Sequence, residues 1–134
     1  MISDCGVIIL NEGYRIIHMN DTIMKEWNLS NSTLYSSIFD LVYIEQSEQA
    51  QELIKQVLRE QSIYDCPLLL DGEKKYMLRI RPVKFAKAYC VVIAVCDISE
   101  YNRWKNNTLE EMEEEVTNSL NVIHNYVKFE MSIS

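Results

Sequence analysis

Four cysteines and two histidines carry most of the reactive chemistry open to this chain. A thiolate can attack an electrophile, bind a soft metal or enter a disulfide, and an imidazole can shuttle protons, ligate a metal or accept a phosphoryl group. Spacing decides among these. Cys5, Cys66, Cys90 and Cys96 form no C-x-x-C pair and no tight metal-ligand cluster, so they read as separate core thiols rather than as a zinc site or a disulfide framework. His18 stands beside Ile16 and Ile17 in a strand-like run, which suits a partly buried residue with a backbone partner better than a ligand. No P-loop, no G-x-S-x-G nucleophile elbow and no H-E-x-x-H pair is present, and the chain is not expected to be an enzyme.

Composition narrows the partners. The net charge of −7 argues against nucleic acid and against an anionic membrane surface, both of which select a basic face. The apolar runs are far too short to span a bilayer, and the N-terminus lacks a basic segment leading into a hydrophobic secretion signal, so a cytoplasmic protein is expected. With 134 residues, 48% of them hydrophobic, one core is affordable, with an extension beyond it.

The elements that must position these side chains follow from periodicity. Residues 6–10 and 14–19 are two short β-rich runs joined by Asn11-Glu12-Gly13, a hairpin in which Gly13 is expected to take the positive φ. Asn20-Asp21 offers a helix cap before Thr22 to Trp27, Ser30 to Ser32 marks a break, and Ile38-Phe39-Asp40-Leu41-Val42 forms a short apolar turn. Over 46–61, Ala50, Leu53, Ile54, Val57 and Leu58 recur at helical spacing on one face. Strands are predicted over 63–70, 75–84 and 89–96, the first two separated by the turn dipeptide Asp71-Gly72. The fold class is therefore α+β, a five-stranded antiparallel sheet with helices on one face. No Gly or Pro interrupts 97–134, so the last strand is expected to pass directly into a long C-terminal helix, with Asp97 and Ser99 at the signal junction as capping residues.

The order of these fragments resembles that of PAS domains. Gly6-Val7-Ile8-Ile9-Leu10 leading to Gly13 and Asn20, then Ile38-Phe39-Asp40-Leu41-Val42, Asp71-Gly72, Arg81-Pro82-Val83 and the closing Asp97-Ile98-Ser99-Glu100 occur in the expected sequence, with Ser99 where Thr is more usual. The resemblance covers residues 1–100 and implies a sensory and dimerisation module of a signal-transduction protein, followed over 101–134 by an amphipathic signalling helix. It also tests cofactors. Flavin photosensors of this family carry a reactive Cys in an Asn-Cys-Arg-Phe type motif, and 30–61 holds no Cys; haem-binding members place an axial His on or near the long helix, and 46–61 holds none. Neither cofactor is expected, which leaves a small apolar ligand of unknown identity.

Under PAS geometry, Tyr76, Leu78, Ile80, Val91, Ile93 and Val95 point inward toward Ile54, Val57 and Leu58, with Trp27 or Tyr76 supplying polar contacts to any ligand. A filled core that merely supports a protein-interaction module is the alternative. On the outer face, Met77, Val92 and Ala94 lie in an apolar patch that needs a cover, and Leu109, Met112, Val116, Leu120, Ile123, Tyr126 and Val127 form an imperfect heptad-like stripe. Together they imply a homodimer and a coiled coil carrying output to an unidentified signalling protein or domain. A further alternative is a histidine phosphotransfer helix using His124, but Asn125, Tyr126 and Val127 follow it where an acidic residue is usual, and a helix-surface histidine is the stronger reading.

Overall fold

Alternating apolar residues build the sheet and helical spacing builds its cover. The computed structural model describes residues 5–70, 73–85 and 87–98. Strands β1 (Gly6–Leu10) and β2 (Ile16–Met19) open the chain, helices α1 (Asp21–Glu26), α2 (Val42–Glu45) and α3 (Glu48–Glu60) follow, and strands β3 (Tyr64–Leu70), β4 (Glu73–Phe85) and β5 (Ala88–Asp97) close it. Short 3-10 turns at Asn31–Thr33 and Ile38–Asp40 link α1 to α2. The five strands pair antiparallel in the order β2-β1-β5-β4-β3, so β5, the most continuously apolar strand, is central.

Each strand's two faces bury different residues. The inner face of β1, β4 and β5 meets Ile23 of α1, Ile44 of α2 and Ala50, Ile54 and Val57 of α3 in one apolar cluster. Gly6 permits this approach, because a Cβ there would lie 2.8 Å from Ile23 Cδ1. The outer face forms a second cluster of Cys5, Val7, Ile9, Cys90, Val92, Ala94 and Cys96. Among the described residues, every helical side chain that is fully buried belongs to the inner cluster.

Polar groups fix the ends. Ser47 caps α3 by accepting from the Ala50 N–H, and Gln61 ends it in the left-handed region at φ 52°. Asn20 does more than cap. Its Oδ1 accepts from the N–H groups of Ile23 at 3.1 Å and Val7 at 3.0 Å, while its Nδ2 donates to the Cys5 carbonyl at 2.8 Å, so one side chain ties α1 to β1. Asn20→Ala is therefore expected to cost about 1–2 kcal/mol, read from urea denaturation. A loss below a few tenths of a kcal/mol would show that water replaces these bonds freely.

The first hairpin differs from expectation. Tyr14, not Gly13, takes the positive φ, at 63°, and β2 begins at Ile16. The cause is local: Asn11 Oδ1 accepts from the N–H groups of Gly13 and Arg15, and Arg15 bridges to Ser37 instead of extending the pairing with β1. Asp97 ends β5 and Ile98 is already helical, while Ser99 and 101–134 lie outside the described residues.

Candidate functional site

The end of α1 and the segment around α2 leave a cleft between them. Trp27, Asn28 and Leu29 form one wall, and Asp40, Leu41, Val42, Tyr43 and Gln46 the other, enclosing about 450 Å³. Trp27 is the first residue after α1, where its backbone N–H still bonds to the Ile23 carbonyl, so the helix end fixes the ring. The indole is tilted over Tyr43 at a centroid distance of 4.7 Å and meets Tyr76 of β4 edge-on at 5.8 Å. These arrangements match the offset and edge contacts that aromatic quadrupoles favour.

Polar atoms sit within this aromatic group. The Tyr76 hydroxyl donates to Glu26 Oε1 at 2.8 Å. Burial and this carboxylate partner raise the Tyr76 pKa to about 12, opposed weakly by the nearby Trp27 indole N–H. That indole nitrogen, on a side chain only 5% exposed, has no acceptor in hydrogen-bonding geometry among the described residues. A buried donor left this way costs free energy that a bound acceptor recovers.

The sequence-predicted lining residues are brought together, but mostly elsewhere. Trp27, Ile54, Val57, Tyr76, Leu78, Ile80, Val91, Ile93 and Val95 share the inner cluster, with Leu58 packed half-buried against it. Of these only Trp27 also lines the cleft, so the other nine line packed core rather than this opening. Sequence reasoning missed Asn28, Asp40, Tyr43 and Gln46. The aromatic spacing of Trp27, Phe39 and Tyr43 was the available signal, but no periodicity places two short helical ends side by side.

On the outer face Val92 and Ala94 are 0% and 2% exposed, so this part of the apolar patch is covered. Met77 is half-buried, and Arg79 on the same face makes a two-pronged ion pair with Asp65, at 2.9 and 3.2 Å, across β3 and β4. Among the described residues no group of three or more His, Cys, Asp or Glu side chains is placed to hold a metal, and no helix is long and apolar enough to cross a membrane. Leu109, Met112, Val116, Ile123 and His124 lie outside the described residues.

His18 lies half-buried on β2, where burial holds its pKa below the ordinary 6.5. A base depressed in the folded state binds fewer protons there than when unfolded, so stability is full above pH 6.5 and falls as pH drops below it. The urea midpoint of the wild type is expected to fall more between pH 7 and 5 than that of His18→Asn. Parallel pH profiles would assign the slope to other groups.

No protein-family model matches the sequence, and neither does any curated protein. Solved structures do match. A domain of an HTR-like protein from Haloarcula marismortui aligns with TM-score 0.60 and 16% identity, covering 72% of this chain and 99% of that one. The PAS domain of histidine kinase ThkA aligns with TM-score 0.60 and 20% identity over 71% of this chain and all, 100%, of the other. The PAS domain of the Cronobacter turicensis quorum-sensing receptor RpfR, solved in complex with BDSF, gives 0.54 and 15%, covering 73% of this chain and 97% of its own. Similarity at such identities establishes a shared fold.

Proposed function

We propose, with the PAS fold of this chain as the premise, that it is a sensory and dimerisation module of a signal-transduction protein. The observation that carries the sensory part is the open cleft walled by Trp27 and Tyr43, beside which the buried Trp27 N–H has no aligned acceptor among the described residues. The ligand is small, largely apolar and non-covalent, and it presents a carbonyl, ether or hydroxyl oxygen to that N–H. It is not an anion, because the Asp40 carboxylate lines the cleft and Glu26 stands beside Tyr76, so an anion would meet like charge. That the RpfR domain was solved with a small molecule supports ligand binding as a use of this fold.

In this reading the chain performs no catalysis and binds no flavin, haem or metal, so the purified protein is colourless. Occupation of the cleft shifts α2 and the start of β4, and β5 passes the change through Asp97 to 101–134, which relays it to a signalling partner. Met77, half-buried on the outer face, with the stripe of Leu109, Met112, Val116 and Ile123, supplies the homodimer contact, checked by light scattering at high micromolar protein. The protein acts in the cytoplasm, without nucleic acid or membrane as a partner.

Native mass spectrometry of the chain against uncharged lactones, amides and ketones tests the sensory part. Trp27→Phe keeps an aromatic face and removes the donor, and it is expected to weaken binding at least about 2- to 12-fold, the worth of one neutral hydrogen bond. Unchanged affinity would place the ligand elsewhere. The densely filled inner cluster favours a second reading, a protein-interaction module that senses nothing. Under it no compound binds, and dimerisation proceeds unaltered.

A further inference from the structure

The four cysteines divide between the two faces of the sheet, and two of them meet at one end of it. Cys66 belongs to the inner cluster, whereas Cys5, Cys90 and Cys96 share the outer one. Strands β1 and β5 pair with Gly6 opposite Val95 and Val7 opposite Ala94, so one step further in this register Cys5 stands opposite Cys96.

The backbone hydrogen bonds tell which kind of pair this is. The Val7 N–H donates to Asn20 Oδ1 at 3.0 Å, the Val7 carbonyl accepts from the Asn20 N–H at 3.1 Å, and the Cys5 carbonyl accepts from Asn20 Nδ2 at 2.8 Å. Residues 5 and 7 thus turn their polar backbone groups away from β5. In an antiparallel ladder such positions are the non-hydrogen-bonded pairs, with Cα atoms about 4.5 Å apart and side chains close together. A disulfide spans Cα separations of about 4.4–6.8 Å. Cys90 is six residues from Cys96 along β5, roughly 20 Å away, and Cys66 faces Leu78 across the ladder on the other side of the sheet.

We infer that Cys5 and Cys96 are a redox-responsive cross-strand pair, oxidised by hydroperoxides to an intrachain disulfide that staples the start of β1 to the end of β5. One sulfur, as thiolate, attacks the peroxide and breaks its O–O bond, which leaves a sulfenic acid and releases an alcohol, or water from hydrogen peroxide. The second sulfur attacks the sulfenic sulfur, forms the S–S bond and expels water. Two electrons pass from the thiols to the peroxide, and both thiol protons end in the released alcohol and water. The pair is 1% and 2% exposed, so oxidation proceeds through local opening at the last rungs of the ladder, and the finished bond is shielded from reductant. Because Cys96 adjoins Asp97, the staple fixes the point at which the chain leaves the sheet. This holds whether or not the cleft takes a ligand.

The test oxidises the full folded chain with hydrogen peroxide, alkylates it under denaturing conditions and maps the peptides. The expected result is a mass loss of two hydrogens, one linked peptide pair containing Cys5 and Cys96, and alkylated Cys66 and Cys90, whose thiol pKa values burial raises. The thermal midpoint of the oxidised chain should rise by several degrees and return with dithiothreitol, as expected for a cross-link closing a loop of about ninety residues. Cys96→Ser should abolish both effects. A bond through Cys66 or Cys90, links only between chains, oxidation that stops at sulfinic or sulfonic acid, or no oxidation at all would overturn the inference, and the wild-type peptide map decides even if the variant fails to fold.

Discussion

Ile93→Ala is expected to lower stability by about 2–5 kcal/mol. Ile93 is 0% exposed at the centre of β5, opposite Ile8 on one side and Ile80 on the other, and its side chain lies in the inner cluster. Removing three carbons there loses the transfer free energy of the buried surface and leaves a void that rigid strands on both sides cannot close. Against a typical total of about 5–15 kcal/mol, the loss is large enough to shift the urea midpoint well below that of the wild type. The slope of the transition should stay the same, because the native core remains one cooperative unit. A loss under about 1 kcal/mol would mean that the interior beneath β5 already contains space, against the packed cluster described above.

Val92→Ala probes the other face from the adjacent position. The Val92 side chain is 0% exposed among Cys5, Val7, Ile9 and Ala94. Two methylenes at about 0.8 kcal/mol each, plus a cavity contribution, give an expected loss of about 1.5–3 kcal/mol. An open sheet face would give a few tenths, as ordinary surface substitutions do. The comparison bears on assembly. If the loss is large and independent of protein concentration, the outer face is sealed within the protomer and dimer contacts fall on the half-buried Met77 and the stripe beyond Asp97. If it grows on dilution, the second protomer supplies the cover.

The sheet was legible because strand alternation is a strong local signal. Val91, Ile93 and Val95 separate cleanly from Val92, Ala94 and Cys96 by period 2, and the helix over Ala50, Ile54 and Val57 announces its face by period 3.6. The hairpin conformation was less legible, because the Asn11 side chain competes with backbone pairing and moves the left-handed residue to Tyr14. The cleft was nearly invisible. It joins Trp27 to Asp40, Tyr43 and Gln46 through two short helical ends whose mutual placement depends on tertiary packing, not on any local pattern. The meeting of Cys5 and Cys96 was hidden for a different reason: only the β1–β5 register brings them together, and strand pairing across the whole domain is not written in either strand alone.

The central claim is that occupancy of the cleft beside Trp27 changes the chain beyond Asp97, and hydrogen exchange across 101–131 reads it directly. The measurement compares the wild type and Trp27→Phe, each with and without the uncharged compound that binds the wild type best in native mass spectrometry. Coupling requires that the compound prefer one of two states of the module. The account predicts altered protection over 101–131 in the wild type on binding, and a smaller change in Trp27→Phe at the same concentration. A compound that binds yet leaves exchange over 101–131 untouched, or a screen in which nothing binds the folded wild type, would contradict it.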